Sequence, residues 1–461
     1  MTTRSIPVPA PNDSTTGYRG ERSQDAPSIA PPRALPFTEA PRYGSLAIPA
    51  GGEDEGPADG LTIDQAIERT IEANLDLRSR FLEIPQAQAD ILTAGLRANP
   101  IFYADTQLIP YGRFTEQRPG GQTQYDINVS IPLDLSRKRQ ARTAVACRAK
   151  RVLEAQYQDA VRLQIDNLYT AFVNVLAARE TLLFAEASVQ GHDRIVRVTE
   201  DLLKQGGTAT RADVNRVKIQ RDGAEIGLDD SRERLAVNSR ILGEVLNLPP
   251  DQAEVIAVRG SLRDRSPPPP KGDPLIQAAL ASRPDLAAYR LGILRAEADV
   301  KLALANRYAD IYVLLQPFTF QDNEPTGTKS AHSWGIGATV PLPISNRNQG
   351  NIQRARLNVT QAQIELAALE RRVATEARQA EREYFITLGA IKRIEAKLLP
   401  AATQVLEDTE RLYKGGEVDV VVYLNAQRSY NDVVQQYRDT SVRHRRSMLA
   451  LNTAVGRRIL P

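Results

Sequence analysis

Residues suited to doing chemistry are few in this chain and far apart. It holds one cysteine, Cys147, and three histidines, His192, His332 and His444. A single cysteine excludes an intrachain disulfide and a CxxC metal or redox site. Histidines this widely separated read as helix-seam residues rather than metal ligands. No nucleophile elbow, phosphate-binding glycine loop or paired histidine and carboxylate stands out. The pattern offers no catalytic residue, no cofactor and no metal site, and points away from an enzyme.

Charge excludes a further class. Formal net charge is +3 with 25% charged residues, which is mixed rather than basic. There is no basic stripe with interleaved aromatics, so nucleic acid is not an expected partner. No apolar run long enough for a membrane-spanning helix is evident. That says nothing against barrel strands, which are short and apolar on one face only.

The elements that position the remaining residues come in two copies. Tyr125, Ile127, Val129 and Ile131 alternate with Asp126, Asn128 and Ser130, then Pro132-Leu133 leads to Ser136-Arg137-Lys138-Arg139-Gln140. At an offset of 209 positions, Trp334, Ile336, Ala338 and Val340 alternate with Gly335, Gly337 and Thr339, and Pro341-Leu342 leads to Ser345-Asn346-Arg347-Asn348-Gln349. Each is a period-two strand that stops at a proline and hands over to a very long helix. Asp76-Leu77 returns as Asp285-Leu286, and Gly206-Gly207 as Gly415-Gly416. The chain reads as a tandem duplication.

Its expected organisation follows. Residues 1–58 contain ten of the 29 prolines and read as a disordered leader, with no apolar signal-like core in the first twenty residues. Residues 59–260 form the first repeat: a helix capped by Thr62 and interrupted at Pro85, a hairpin over 101–131, a long helix to Lys204, and a return helix. Residues 261–273 are a polyproline connector containing Pro267 to Pro270. Residues 274–461 repeat the order, with the hairpin over 311–340 and a long helix from Ser345 to Lys414 broken at Gly350, Gly389 and Pro400. Tyr103, Tyr125, Tyr312 and Trp334 lie near strand ends, where interfacial aromatics belong.

A helix of nearly 70 residues spans about 100 Å and needs partners along its whole length. Val214, Val217, Arg221, Ala224, Leu228, Ser231, Leu235, Asn238, Leu242 and Val245 follow three-four spacing, a heptad seam. Ile352, Ala355, Val359, Ala362, Leu366, Leu369 and Val373 form another. A third, from Tyr430 through Val434, Tyr437, Ser441, His444, Met448 and Leu451 to Val455, places His444 inside it. Two short helices stacked end to end match one long helix in length. The fold class is mainly α with a small β part, built from duplicated long helical hairpins.

With these parts in place the chain resembles the TolC-like outer-membrane factor family over about residues 60 to 458. The carrying features are Ile131-Pro132-Leu133 and Val340-Pro341-Leu342-Pro343, the polar start of each long helix, and Tyr413-Lys414-Gly415-Gly416-Glu417-Val418 followed by Tyr423-Leu424-Asn425-Ala426-Gln427. It looks most like the members serving cation and multidrug pumps of the resistance-nodulation-division type.

The resemblance implies an exit duct in the outer membrane, of tripartite efflux or type I secretion, and a homotrimer. Four antiparallel strands per chain would complete a twelve-stranded transmembrane barrel, and the helices would form a coiled-coil barrel across the periplasm. Tyr125, Ile127, Val129, Trp334, Ile336 and Val340 would face outer-membrane lipid, with Asp126, Asn128, Ser130 and Thr339 toward the lumen. Gly206, Gly207, Tyr413, Gly415 and Gly416 would mark the periplasmic tip that meets an adaptor protein, which links to an inner-membrane pump. The two Gly-Gly pairs also suit simple helix C-caps. Relatives carry carboxylate rings past these turns; here Asp213 stands in the first repeat, but Val422 and Asn425 in the second. That leaves Asp213 and Asn425 as candidate gate residues, with weaker cation block expected than from two acidic rings. Cys147 is expected as an inert seam residue. Two other readings are a soluble coiled-coil scaffold, whose strands would pack on its own helices, and the periplasmic adaptor of such a pump.

Overall fold

The computed structural model describes residues 56–107, 123–204, 209–263, 267–324, 327–415 and 417–460. Most of the leader, the loop between the first two strands, and Gly206, Gly207 and Gly416 lie outside the described residues.

The first helix, α1 (Ile63–Ala73), starts at Thr62 with a capping box: the Thr62 hydroxyl accepts from the Gln65 N–H and Gln65 returns to the Thr62 N–H. The break that follows is at Asn74 rather than Pro85. Asn74 ends α1, caps α2 (Leu75–Phe81) and donates its amide to the Val245 carbonyl at 2.9 Å. Pro85 falls in the first turn of α3 (Glu83–Gly95), where a missing N–H costs no helical bond.

Strands β1 (Ile101–Gln107) and β2 (Thr123–Leu133) lead into α4 (Lys138–Lys204), an unbroken helix of 67 residues. It turns back as α5 (Arg211–Val245), followed by the short α6 (Pro250–Glu254). The second half runs α7 (Asp273–Ser282), α8 (Pro284–Ala305), β3 (Ile311–Asp322), β4 (Ala331–Thr339) and α9 (Gln349–Arg393). A π-turn over Ile394–Leu398 joins α9 to α10 (Leu399–Lys414), and α11 (Val420–Val455) returns. The break near Pro400 is thus a local widening of the helix rather than a stop.

Helix α5 packs along the tipward half of α4 and α8 along the strandward half, two short helices beside one long one. Beneath the strands the packed order is α3, α4, α8, α9; toward the tip it is α5, α4, α11, α10. The heptad seam positions of α5, α9 and α11 are all buried or half-buried. Leu168, Phe172, Leu176, Leu242, Leu246 and Val258 form one core at the middle of the molecule, joined by Ala66 of α1. Leu275, Tyr384, Met448, Leu451, Val455 and Leu460 form its counterpart in the second half. Among the described residues, α4 alone contains an 18-residue window apolar enough to cross a membrane, with mean hydropathy 1.2, and 67% of that window is buried. Its apolarity serves the interior of the helical layer.

Buried polar groups knit the middle together. Arg283, 6% exposed, pairs with Asp285 and Glu376 and reaches the Ala454 carbonyl. Arg162 donates to the Thr453 carbonyl at 3.0 Å. Both guanidiniums thereby satisfy carbonyls at the C-terminal end of α11, where a helix favours cations. Gly456 ends that helix at φ 76, so close to Arg283 that an added Cβ would lie 2.8 Å from its Cγ. His444 sits inside the α9–α11 seam, its Nδ1 2.9 Å from the Thr387 hydroxyl.

Candidate functional site: sheet wall and hairpin tips

The four strands form one antiparallel sheet in the order β1-β2-β3-β4, so the two hairpins are not separate pairs. The joining ladder, β2 to β3, runs from Thr123↔Asp322 to Leu133↔Ile311. An extra residue in β3 between Gln316 and Thr319 shifts the register on both sides, and Pro317 occupies that bulge. Proline has no N–H to give a ladder, so a bulge is where a strand accommodates it.

Register sorts the side chains into rows. Phe102, Val129, Leu315 and Ile336 pair successively across all four strands, as do Thr106, Tyr125, Phe320 and His332. Ile127 pairs with Phe318 on the same face. This apolar face is open: Trp334 is 78% exposed and Ile336 70%, and Tyr125 and Val340 are exposed as well. Phe318 and Phe320 flank the His332 ring at 5.4 and 5.0 Å, and Tyr125 stacks on Phe320.

The other face carries Ile101 and Leu314 near the helices and is polar from there outward. Asp105 pairs with Asp126, Asp126 with Thr319, and Thr319 with Ser333. Asp126 is buried and accepts from the Thr319 hydroxyl at 2.7 Å, the Gln316 amide at 2.8 Å and the Gln124 amide at 2.6 Å. Tyr103 belongs to this face, bonded to Asp105, and Tyr312 shares its parity; neither joins an aromatic girdle on the apolar side. Parity along a strand decides the face, and both tyrosines are out of phase with Tyr125 and Trp334.

Each long helix begins at a residue in the left-handed region: Arg137 at φ 60 before α4 and Asn348 at φ 58 before α9. Asp134 caps α4, accepting from the N–H groups of Lys138 and Arg139 at 2.8 and 2.7 Å. Burial works against the Asp134 carboxylate, yet those N–H groups and Lys138 hold it below the usual range. Cys147 is exposed on α4 and not a seam residue, because α3 and α8 cover only two sides of that helix.

At the far end, Asp213 lies in a capping box at the start of α5. Its carboxylate accepts from the Thr210 hydroxyl at 2.6 Å and the Thr210 N–H at 3.0 Å, with Arg216 3.8 Å away. The Thr210 hydroxyl and N–H hold this carboxyl below the usual range. Asn425 is exposed on α11. Tyr413 stacks on Tyr423, ring centroids 5.2 Å apart and 5° from parallel, joining α10 to α11. Burial pushes the Tyr423 hydroxyl up to about 12. Gly415 is the C-cap of α10, in right-handed conformation at φ −78, and the Glu417 N–H returns to the Leu412 carbonyl at 3.0 Å.

Phe318, Phe320 and His332 escaped the sequence reading although Phe318 and Phe320 alternate as strand residues of one face do. The Gln316 and Thr319 partners of Asp126 had no local signal, lying 190 and 193 positions away. Among the described residues no group of three or more His, Cys, Asp or Glu side chains is placed to hold a metal ion.

A sheet with one apolar face and one polar face, carried on helices too long for a globular core, defines a membrane-anchored helical channel wall. The chain belongs to the outer membrane efflux protein family, whose model matches residues 66–247 and 275–457. It is similar to the cobalt-zinc-cadmium resistance protein CzcC of Cupriavidus metallidurans, 25% identical over 381 residues, covering 82% of this chain and 85% of the relative. It is also similar to the pyoverdine export outer membrane protein OpmQ of Pseudomonas aeruginosa, 23% identical over 393 residues and covering 80% and 79%. The solved structure of CusC superposes with a TM-score of 0.70 at 17% identity, covering 91% of this chain and 97% of that one. The protein is an outer-membrane efflux channel component with a periplasmic helical tube, and the soluble scaffold and adaptor readings fall away.

Proposed function

We propose that the chain is one third of a passive exit duct, a homotrimer that receives solutes from an inner-membrane pump through a periplasmic adaptor and catalyses no reaction. The supporting observation is that every lateral edge is unfinished. Among the described residues, strands β1 and β4 each lack a neighbour on one side. The helices beneath end in the same order, at α3 and α9 near the sheet and at α5 and α10 near the tip. These edge helices expose apolar residues one heptad apart: Leu357 and Ile364 on α9, Ile219 and Ile226 on α5, Val405 and Leu412 on α10. Heptad-spaced apolar residues are what a neighbouring helix packs against. Three copies close a twelve-stranded barrel and remove every strand edge, as a membrane requires.

In that assembly the face of Tyr125, Ile127, Val129, Trp334, Ile336 and Val340 meets lipid, and Asp126 and its partners line the lumen. The turns bearing Gly206, Gly207, Tyr413, Gly415 and Gly416 form the tip that docks on the adaptor. Asp213 contributes a single carboxylate ring at most, since Thr210 already occupies it, and Asn425 adds no charge. Relatives of comparable identity bear names of metal resistance and of pyoverdine export, so the duct does not choose the cargo and the pump does. Extraction of the native envelope tests this reading. A detergent particle with three chains' mass that conducts in planar bilayers is the expected result; a monomer without conductance sinks it.

A further inference from the structure

The apolar alternation of the sheet does not stop where the strands do. Leu133 and Leu135 follow Ile131, and Leu342 and Ile344 follow Val340, each two residues on. Leu135, Leu342 and Ile344 are 69%, 72% and 74% exposed, so no helix of this chain covers them. The eleven residues of β2 span about 34 Å along the strand and about 25 Å at a barrel's tilt, the height of an outer-membrane apolar band. The turns that follow therefore fall at the level of the periplasmic headgroups.

Those turns are basic. Residues 96–100, 133–140, 304–311 and 340–349 hold six arginines and lysines against two aspartates. They meet at one level. Lys138 reaches Asp310 at 2.9 Å, setting the start of α4 beside the end of α8, and the Asn348 amide donates to the Ala303 carbonyl at 2.8 Å, setting the start of α9 there too. Gly95, at the end of α3, faces Thr143 of α4. Both carboxylates are already engaged, Asp134 by the first N–H groups of α4 and Asp310 by Lys138.

Five cations are left over. Among the described residues, none of Arg97, Arg137, Arg139, Arg307 and Arg347 forms an ion pair, and all but the half-buried Arg139 are exposed. The Arg307 guanidinium lies 5.5 Å over the exposed Tyr308 ring, an aromatic of the kind that settles at a bilayer interface. Neither long helix has an acidic residue in its first turn, so the arginines there also oppose the helix dipole. Cations set against one another and against two helix ends carry a cost that a shared anion removes.

We propose that this collar, apolar at Leu135, Leu342 and Ile344 and cationic at the five arginines, binds the phosphates of anionic phospholipid in the periplasmic leaflet. The inference rests on the lipid-facing sheet described above and adds to it a lipid class. Guanidinium forks match phosphate oxygens, and acyl chains cover the three apolar side chains, for which a free phosphate has no use. In the closed trimer α9 of one copy adjoins α3 of the next, so Arg347 and Arg97 carry the collar across each seam.

Native mass spectrometry of the full-length particle, extracted from its envelope and titrated with phosphatidylglycerol or with phosphatidylcholine of the same chains, provides the test. Preferential retention of phosphatidylglycerol, weakened by 0.5 M salt, is the expected result, at about fivefold lower preference for each of Arg137→Gln, Arg307→Gln and Arg347→Gln, the scale of one basic residue at an anionic surface. Arg232→Gln, on α5, should leave the preference unchanged. Equal retention of the two lipids by the parent overturns the proposal without any variant. So does displacement of the bound lipid by millimolar inorganic phosphate, which would make the collar a free-anion site. Variants that keep the lipid preference but change the ion selectivity of the channel would turn the arginines to the lumen, and overturn it as well. A particle of one chain's mass that still prefers phosphatidylglycerol supports the collar and sinks the trimeric duct instead; a conducting trimer with no preference does the reverse.

Discussion

The Lys138 ammonium lies 2.9 Å from the Asp310 carboxylate, joining the first residue of α4 to the residue just before β3. The two belong to different halves of the chain and meet where helices give way to strands. Their side chains are 15% and 31% exposed, so water screens the pair only in part. Asp310→Asn is expected to lower stability by about 1 kcal/mol, the upper range for accessible ion pairs. Thermal unfolding of the extracted particle checks this, and high salt should shrink the difference between variant and parent.

The apolar row through Ile336 gives a sharper outcome. Ile336→Arg places a charge on the open apolar face and is expected to cost about 2 to 4 kcal/mol near the bilayer midplane. Ser333→Lys, on the polar face with Thr319, should be tolerated. Membrane fractionation of the two variants distinguishes them; insertion lost with Ser333→Lys and kept with Ile336→Arg would mean that the faces are assigned the wrong way round.

Asp213 carries two roles that one pair of variants separates. As the partner of the Thr210 cap at the third helical position, Asp213→Ala should cost about 1 kcal/mol and quicken exchange at the start of α5. Its carboxyl is held below the usual range, so the stabilisation is present above the ordinary carboxylate pKa and is lost as pH falls through the lowered one. As a gate, Asp213→Asn should weaken block by divalent cations in bilayer recordings. Faster exchange with unchanged block would assign Asp213 to capping alone.

His192 makes the helical layer sensitive to acid. Burial pushes its imidazole down from 6.5 to about 4, against the opposing pull of Asp193. The unfolded chain therefore takes up the proton first. Stability is full above about pH 6.5 and falls as pH drops toward 4, by up to about 3 kcal/mol at completion. Denaturation at pH 7 and pH 4.5 should show this slope in the parent and a flatter one in His192→Gln. A parental slope in that variant would place the acid sensitivity elsewhere.

Much of the architecture was legible because it rests on local periodicity. The Thr62 cap, the alternation from Tyr125 to Ile131, and the seams of α5, α9 and α11 each need only neighbouring residues to be recognised. Cys147 departs from the seam position expected of it. A residue on a helix shows its own face, but which faces are covered depends on neighbours distant in sequence. Helix α4 leaves the Cys147 stripe open.

What the sequence determined by itself was the kind of part: strands with one apolar face, helices too long to stand alone, and a turn that returns after 209 residues. Only the tertiary structure decided how the parts join. It paired β2 with β3 into one sheet, gathered Gln124, Gln316 and Thr319 around Asp126, and set Tyr437 against Glu395 at the π-turn. Periodicity is written by adjacent residues and so survives in one dimension. Pairings between residues far apart along the chain are fixed by the shared burial of whole elements, and no short stretch encodes them.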